Sequence, residues 1–296
     1  MNTIGLLGVG VMGAAAAQRF IEGGHELIAY DVSPESLGRA HSMGARVVDT
    51  PAHVASRARL VLLFLPGPRE VEICVAGDSG LLDAAQAGTI IVDMSTVDPK
   101  TTRRMAELAQ RKDVGYLDAP VLGRPAAVGQ WALPVGGRAE DLARCRPILE
   151  LVAARIFHIG ESGSGNKLKL LNQMMFGAIN AMTAEMMAVA DKVGIPPKTL
   201  YETITASQAG TVSNLFKELG GRISAERYDD PTFTVNLLIK DVRLAVEMAK
   251  EYEAPPVLGR IVEFINETAR AQGFGDADTS IMWRLFEGIW VGKKGP

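Results

Sequence analysis

The strongest constraint on the fold of this chain is a glycine-rich turn between an apolar strand and a helix, within residues 4–31. Gly8 permits a tight turn, Gly10 lets the backbone approach a ligand, and Gly13 lets the next helix pack closely on the strand. The helix N-terminus offers N–H groups and a positive dipole end, which suit phosphate oxygens. Asp31 closes the second strand at about the spacing from which a carboxylate reaches an adenosine ribose. The pattern predicts a dinucleotide-binding βαβ unit, with cofactor contacts at Gly8, Gly10, Val11, Met12, Gly13 and Asp31.

Asp31 also indicates which dinucleotide this unit binds. A carboxylate accepts hydrogen bonds from the ribose hydroxyls but repels a 2′-phosphate. The residues that follow it, Val32, Ser33 and Pro34, include no arginine that could hold such a phosphate. We therefore expect NAD(H) to be preferred over NADP(H).

Composition and charge exclude several other classes of function. The chain has 296 residues and a net charge of −3, with no basic block that would suit a nucleic acid. No apolar run approaches the roughly 20 residues of a membrane span, and the first strand leaves no room for a signal peptide. Cys74 and Cys145 have no metal-ligand spacing and are typical of small core residues in a reducing compartment. We expect a cytoplasmic protein with no nucleic-acid, membrane or metal partner.

Short apolar strands alternate with helical stretches up to about residue 160. Runs such as LVLLFL and TIIVDM show no polar alternation, which is typical of strands buried on both faces of a parallel sheet. A proline- and glycine-rich break at 66–68 follows one of these strands, at the end of the sheet where ligands bind. The strands predicted after the opening βαβ unit are Ala45–Val48, Leu60–Leu65, Thr89–Asp93, Gly115–Ala119, Leu133–Gly136 and Ile156–Ile159.

The pattern changes at the glycine- and serine-rich segment 161–165. From there to Gly194 the chain has the character of one long helix, which the following prolines end. The remainder is helical in period. We therefore predict an α/β fold: a Rossmann-type domain at 1–162 with a doubly wound, mostly parallel sheet, and an all-α domain at 163–296 joined to it by the long helix.

The long helix carries a polar stripe on an otherwise apolar surface. Asn166, Lys169, Asn172 and Gln173 are three or four positions apart, so they share one face of the helix. Lys167 lies two positions from Lys169 and therefore faces elsewhere. The stripe indicates either a functional site or the water-facing side of an ordinary amphipathic helix.

Further motifs complete a set that runs through nearly the whole chain. With the turn GVGVMG (8–13), they are DMST (93–96), DAPVLGR (118–124), GSG (163–165) followed by Lys169, Asn172 and Gln173, and finally Phe233, Leu237, Lys240 and Asp241. This set resembles the β-hydroxyacid dehydrogenase family, which includes 3-hydroxyisobutyrate dehydrogenase and tartronate semialdehyde reductase.

The resemblance implies an NAD-dependent oxidoreductase that interconverts a small β-hydroxyacid and its semialdehyde by hydride transfer. Lys169 takes the position of the family's catalytic lysine, which donates a proton to the substrate oxygen during reduction and removes it during oxidation. Asn172 and Gln173 would orient the substrate. Lys240 would reach the substrate and the cofactor.

The loops after two predicted strands are implied to line the same site. Ser95 and Thr96 follow a strand and so lie at the ligand end of the sheet. The resemblance implies that Ser95 contacts the substrate and Thr96 the cofactor. Alternatively, Thr96 or Asp98 caps the helix that begins at the next proline. Leu65 and Pro66 resemble the family positions that line the cofactor.

The chain departs from the family pattern after DAPV. Many members have a serine and two glycines there, which hold the substrate carboxylate through a hydroxyl and backbone N–H groups, whereas this chain has Leu122, Gly123 and Arg124. Arginine suits bidentate binding of carboxylate, sulfonate or phosphate. The Gly-Arg pair is similar to that of sulfolactaldehyde reductases, which favours a larger or more acidic substrate held by Leu122, Gly123 and Arg124. Alternatively, Arg124 faces solvent or pairs with an acidic neighbour.

Two other functions remain open at this point. Imine reductases share the two-domain plan but usually lack a lysine at the position of Lys169, as do non-catalytic NAD-binding relatives. 6-Phosphogluconate dehydrogenase has a longer helical domain than this chain can form. The small helical domain is rich in methionine and leucine, so we expect a homodimer or homotetramer.

Overall fold

The structure, a computed structural model, describes residues 3–207, 213–228, 230–254 and 256–290. It divides into two compact units, an N-terminal unit of residues 1–169 and a C-terminal unit of residues 170–296. The division falls inside one long helix, a few residues after the segment at which the sequence predicts the change of domain.

The N-terminal unit is built on an eight-stranded sheet. Its strands are β1 (Thr3–Leu7), β2 (Glu26–Tyr30), β3 (Arg46–Val47), β4 (Leu60–Leu63), β5 (Ile90–Asp93), β6 (Gly115–Asp118), β7 (Trp131–Gly136) and β8 (Ala153–Gly160). They lie in the order β3-β2-β1-β4-β5-β6-β7-β8. Neighbours pair in parallel except β6 and β7, which are antiparallel. The predicted doubly wound, mostly parallel sheet is therefore confirmed.

The predicted strands differ from the observed ones only at their ends. The strand predicted at Leu60–Leu65 ends at Leu63, and the one predicted at Leu133–Gly136 already begins at Trp131. The second difference arises because Trp131 and Ala132 pair with β8. Such pairing depends on a distant strand and leaves no local apolar pattern.

Helices cover both faces of this sheet. They are α1 (Val11–Glu22), α2 (Pro34–Ser42), α3 (Pro51–Ala55), α4 (Pro68–Ala76), α5 (Leu81–Ala84), α6 (Pro99–Gln110) and α7 (Ala139–Leu149). Several begin with a proline behind a capping side chain, as α6 does behind Asp98. One apolar core, which includes Phe20 and Leu62, lies on one side of the sheet, and another, which includes Leu63 and Met105, lies on the other.

The long helix α8 (Ser164–Lys192) is present as predicted, and the structure that follows it is helical. The C-terminal unit contains α9 (Pro197–Ala206), α10 (Asn214–Ser224), α11 (Val235–Glu251), α12 (Val257–Ala269) and α13 (Met282–Trp290). Its largest core includes Met187, Ile239 and Met282. The predicted all-α character of this part of the chain is therefore confirmed.

Cys74 and Cys145 are buried core residues without a disulfide, as predicted. Burial raises the pKa of the Cys74 thiol to about 11 and that of Cys145 to about 12, so neither forms a reactive thiolate near neutral pH. Among the helices described, none has both the length and the apolar character needed to cross a membrane.

Candidate active site

The glycine-rich turn between β1 and α1 is packed too tightly for side chains at two of its positions. Gly8 has φ +86°, and a Cβ there would lie 2.2 Å from the carbonyl oxygen of Phe64. A Cβ on Gly13 would lie 1.9 Å from the carbonyl oxygen of Gly8. Gly10, by contrast, has open space where its Cβ would be. The turn is therefore closed against β4 and open at Gly10, the position expected to approach a pyrophosphate.

The N-terminus of α1 is open in the same way. Gly10 is its N-cap residue and supplies no side-chain cap. Val11 is 63% exposed and Met12 half-buried, whereas Gly13 is buried. No side chain caps the first-turn N–H groups of α1 in the described part of the chain. These groups are therefore suited to binding the oxygens of a pyrophosphate.

Asp31 stands beside this turn at the end of β2. Its Oδ2 accepts the N–H of Val9 at 2.7 Å, and its Oδ1 accepts the N–H of Ser33 at 2.8 Å. Arg39 of α2 donates to the carbonyl oxygen of Val9 at 3.2 Å. A carboxylate has about four acceptor positions, so Asp31 can hold the turn and still accept ribose hydroxyls. The residues present therefore fit an adenine dinucleotide.

The loops after β4 and β5 are joined through Ser95. The Ser95 hydroxyl accepts the N–H of Leu65 at 2.9 Å, and its own N–H donates to Asp93 at 2.9 Å. Tyr116 of β6 donates its hydroxyl to the other oxygen of Asp93 at 2.9 Å. Ser95 is buried and Pro66, beside Leu65, is exposed. The geometry gives Ser95 the role of holding the loop at 65–66. The predicted contact of Ser95 with substrate stays a prediction.

Asp98, not Thr96, caps helix α6. The Asp98 carboxylate accepts the N–H of Thr101 at 2.8 Å, whereas Thr96 is half-buried ahead of the cap. The alternative interpretation of this segment as a helix cap thus applies to Asp98 alone.

Lys169 lies on α8 within the N-terminal unit and reaches the segment after β6. Its Nζ donates to the carbonyl oxygen of Val121 at 2.9 Å, and the side chain is half-buried. Val121 directly precedes Leu122, Gly123 and Arg124, the residues at which the chain departs from the family pattern. The structure therefore brings Lys169 to the start of the predicted acid-binding segment.

The first turn of α8 is fixed by a carboxylate from β6. Asp118 accepts the N–H groups of Gly163 and Asn166, each at 2.8 Å. Burial raises the pKa of Asp118 to about 7, a rise that these two hydrogen bonds oppose and the nearby Asp93 adds to. The Asn166 amide bonds to Val97 N and Thr102 Oγ1, both at 3.2 Å.

The polar stripe of α8 is therefore not simply the wet side of an amphipathic helix. Asn166 and Gln173 are buried, Lys169 is half-buried, and Asn172 is exposed. The interpretation of the stripe as an ordinary water-facing surface was wrong for the two buried amides.

In the C-terminal unit the predicted polar residues form a second cluster. Gln173 Nε2 donates to Asp241 Oδ2 at 2.6 Å, and Lys240 Nζ lies 2.7 Å from Asp241 Oδ1. The exposed Asn172 donates to Gln173 Oε1 at 3.1 Å. Asp241 thus holds both Gln173 and Lys240, a role that the sequence analysis did not assign to it.

Sequence reasoning missed other residues that support these sites. Asp118 and Asp241 were quoted as parts of motifs without a function, and Trp131, Arg39 and Tyr116 were not singled out. The two aspartates could have been found from the sequence, because both stand in motifs that match the family. Tyr116 bonds to Asp93, 23 positions away, and the Trp131 indole bonds to Arg124 across the loop before β7. Neither contact follows from the period of a helix or a strand.

Two family models match the chain. One, described as the NAD binding domain of 6-phosphogluconate dehydrogenase, matches residues 3–160. The other, described as NAD-binding of NADP-dependent 3-hydroxyisobutyrate dehydrogenase, matches residues 163–286. Together they span the sheet and most of the helical structure.

Named relatives match over nearly their whole length. A 3-hydroxyisobutyrate dehydrogenase of Pseudomonas aeruginosa is 33% identical, over 97% of this chain and 99% of the relative. A 3-sulfolactaldehyde reductase of Escherichia coli is 30% identical, over 95% and 94%. The solved structure of Mycobacterium tuberculosis 3-hydroxyisobutyrate dehydrogenase with L-serine has a TM-score of 0.82 and 27% identity, over 96% of this chain and 99% of that one.

Fold, motifs and relatives agree, although the relatives act on different hydroxyacids and aldehydes. The chain belongs to the β-hydroxyacid dehydrogenase family, that of 3-hydroxyisobutyrate dehydrogenase, and is an NAD(P)-dependent oxidoreductase.

Proposed function

We propose that this protein interconverts a small anionic β-hydroxyacid and its semialdehyde, with Lys169 as the general acid and base. The observation that carries the proposal is the 2.9 Å contact between Lys169 Nζ and Val121 O. It holds the lysine at the position of the family's catalytic lysine at the start of the segment expected to bind the substrate's acid group. A substrate gripped there by its acid group would present its carbonyl to the ammonium.

Bound NADH supplies the hydride for the reduction. Lys169 then donates a proton from Nζ to the substrate oxygen as negative charge develops on it, and it removes that proton in the oxidising direction. A lysine ammonium carries three N–H donors, so Nζ can hold the Val121 carbonyl and the substrate oxygen together. The Val121 contact limits the rotation of a long, flexible side chain and so positions the proton.

Other residues of the proposed site bind and orient. Ser95 holds the loop that carries Leu65 and Pro66, and we assign that loop and Thr96 to the nicotinamide side of the cofactor. In the C-terminal unit, the resemblance assigns Asn172 and Gln173 to the substrate and Lys240 to substrate and cofactor. Their support is the cluster organised by Asp241.

We assign NAD(H) as the preferred cofactor because of the place of Asp31. Its carboxylate lies within hydrogen-bond distance of the turn at Val9, where the charge would repel a 2′-phosphate. Arg39 contacts the other side of Val9. Its guanidinium is a cation beside the turn that would favour a 2′-phosphate, and the test therefore uses both cofactors.

Arg124 favours a second candidate function, the reduction of an aldehyde whose acid group is stronger than a carboxylic acid. The 3-sulfolactaldehyde reductase of Escherichia coli is a relative at 30% identity. Leu122 removes the hydroxyl donor that the usual motif provides, whereas the Arg124 guanidinium matches the oxygens of a sulfonate. Hydride transfer and the role of Lys169 are the same in both candidates.

Initial rates with NADH and NADPH test these proposals on one panel of aldehydes. The panel contains tartronate, methylmalonate and succinic semialdehydes, sulfolactaldehyde and an uncharged aldehyde of similar size. We expect kcat/KM to be highest with NADH and an anionic aldehyde, and a preference for sulfolactaldehyde would select the second candidate. Equal rates with the uncharged aldehyde, or no turnover of any anionic one, would contradict the proposed substrate class, and a higher kcat/KM with NADPH would contradict the cofactor assignment.

A further inference from the structure

Position 123 is a glycine because of a neighbouring side chain, not because of its own backbone angle. The residues with positive φ do not include Gly123. A Cβ there would lie 2.4 Å from Cδ1 of Trp131 and 3.2 Å from the indole Cγ and Nε1. Trp131 is 0% exposed and packed in the core, so its ring has no room to move aside. The indole therefore excludes every side chain from position 123.

The same indole holds the next residue along the chain. Nε1 of Trp131 donates to the carbonyl oxygen of Arg124 at 2.8 Å, and Ala127 N donates to the same oxygen at 3.0 Å. On the other side of Gly123, Leu122 and Ala132 exchange hydrogen bonds of 2.9 and 3.1 Å. The backbone of residues 122–124 is thus fixed against the start of β7 at both ends.

This arrangement decides which donors the segment can offer to an anion. The N–H of Leu122 is already bonded to β7. The N–H of Gly123 has no acceptor in the described part of the chain, and Gly123 is exposed. Arg124 adds a guanidinium, and Lys169 reaches the same segment one residue before Leu122.

We infer that Trp131 is a positioning residue for the acid group of the substrate. Its indole ring excludes a side chain at position 123, and its N–H fixes the Arg124 carbonyl. The Gly123 N–H and the Arg124 guanidinium can then bind one anion together. The inference rests on the proposed function in placing the acid group at 122–124. Trp131 itself touches neither substrate nor cofactor.

The first test compares Trp131→Phe with a matched control, Trp283→Phe. Phenylalanine at 131 removes the N–H donor but keeps an aromatic ring beside Phe64, whose ring centroid lies 6.3 Å from that of Trp131. Trp283 lies in the C-terminal unit, and its indole N–H has no acceptor in the described part of the chain.

We expect Trp131→Phe to raise KM for the preferred anionic aldehyde about three- to tenfold, the effect of one hydrogen bond, with kcat and the KM for the uncharged aldehyde within about twofold. Trp283→Phe should change none of the three. An equal rise in both KM values, or no change in either, overturns the inference.

The second test does not depend on turnover. Calorimetry measures the dissociation constant of malonate, used as an unreactive acid, from the NAD⁺-saturated protein and its variants. We expect malonate to bind wild type and Trp283→Phe alike, and Trp131→Phe about three- to tenfold more weakly. This result would support the role of Trp131 in binding the acid group even if the protein reduced none of the aldehydes. Equal affinity in all three proteins, including no binding by any of them, overturns it.

A double-mutant cycle separates positioning from loss of folding. Gly123→Ala should weaken malonate binding strongly beside Trp131, because its Cβ meets the indole. In a Trp131→Leu background, where that ring is gone, the same substitution should raise the dissociation constant of malonate by a factor at least about threefold smaller. Equal costs in the two backgrounds would show that the indole does not set position 123. Thermal unfolding of each variant provides the check on folding.

Discussion

At the scale of the residue, the lysine proposed to transfer the proton differs in burial and bonding from the buried residues around it. Lys169 is half-buried and bonded to a backbone carbonyl, whereas Asp118, Asn166 and Asp93 are buried and bonded to backbone N–H groups. Both oxygens of Asp118 already accept N–H groups at the start of α8, which gives this carboxylate a structural role. Of these residues, we assign proton transfer to Lys169 alone.

Replacing Lys169 tests that assignment directly. Lys169→Ala should lower kcat by about 10²–10⁴, the usual worth of a general acid, while the dissociation constant for NADH stays nearly unchanged. The matched control is Lys167→Ala, two positions away on the same helix, whose kcat should stay within about twofold. Steady-state rates and NADH fluorescence titrations measure both quantities. A Lys169→Ala enzyme within about tenfold of wild type would exclude Lys169 as the acid.

At the scale of the element, helix α8 depends on a carboxylate that belongs to another element. Asp118 ends β6, and its two oxygens accept the N–H groups of Gly163 and Asn166 at the start of α8. Three residues after Asp118 comes Val121, whose carbonyl accepts Lys169 Nζ from the same helix. Two separate contacts thus fix the first turns of α8 to the chain after β6, with Lys169 between the elements.

Because the pKa of Asp118 is raised in the folded protein, the free energy of unfolding should depend on pH through this residue. The carboxyl ionises near 3.8 in an unfolded chain and at about 7 in the folded one. Between these values the folded state binds more protons, so this group's contribution to stability falls as pH rises through that window and is constant above it.

We therefore expect Asp118→Asn, an isosteric and uncharged variant, to gain stability relative to wild type as pH rises from about 4 to 7. The slope of the difference should approach about 1.4 kcal/mol per pH unit. Urea unfolding of both proteins across this range measures it, with Asp98→Asn, at the half-buried N-cap of α6, as the control. A difference that does not vary with pH would show that Asp118 titrates alike in both states.

The elements were far easier to predict from the sequence than the contacts between them. The βαβ unit and α8 follow from local signals, namely a glycine turn, apolar runs and a helical period over about thirty residues. The cap on α8 joins residues 45 and 48 positions apart, and nothing near Gly163 or Asn166 in the sequence shows it. Lys169 was found because it lies on a periodic stripe, and Trp131 was missed because its partners lie outside its own strand.

At the scale of the whole molecule, apolar side chains remain exposed on the C-terminal unit. On α8 and directly after its last residue they are four or seven positions apart and so follow one side of the helix: Leu171, Met175, Met182, Val189 and Val193. On α12, Val257, Leu258, Ile261 and Phe264 are also exposed. Rows of exposed apolar side chains of this kind favour a contact with another molecule.

The expectation of a homodimer or homotetramer therefore stays a prediction with a definite test. Sedimentation velocity at micromolar concentration should give a mass of two or four chains. Met182→Glu, which places a charge in the middle of the exposed side of α8, should lower that mass, whereas Lys198→Glu, at an exposed charged position of α9, should not. A wild-type protein that sediments as a single chain would contradict the prediction.

The hydrogen bonds of Asp31 set a rule for any redesign that builds on the proposed preference for NAD(H). Its carboxylate accepts the Val9 N–H inside the glycine turn, in addition to the ribose contact that we propose for it. An apolar residue at this position would remove the charge that repels a 2′-phosphate but would also leave the Val9 N–H without its acceptor. Asparagine, which has the same length and a neutral amide oxygen, keeps an acceptor for the Val9 N–H while removing the charge. Engineering toward NADPH should therefore begin by conserving the oxygen and changing only its charge, with Arg39 already beside the same peptide.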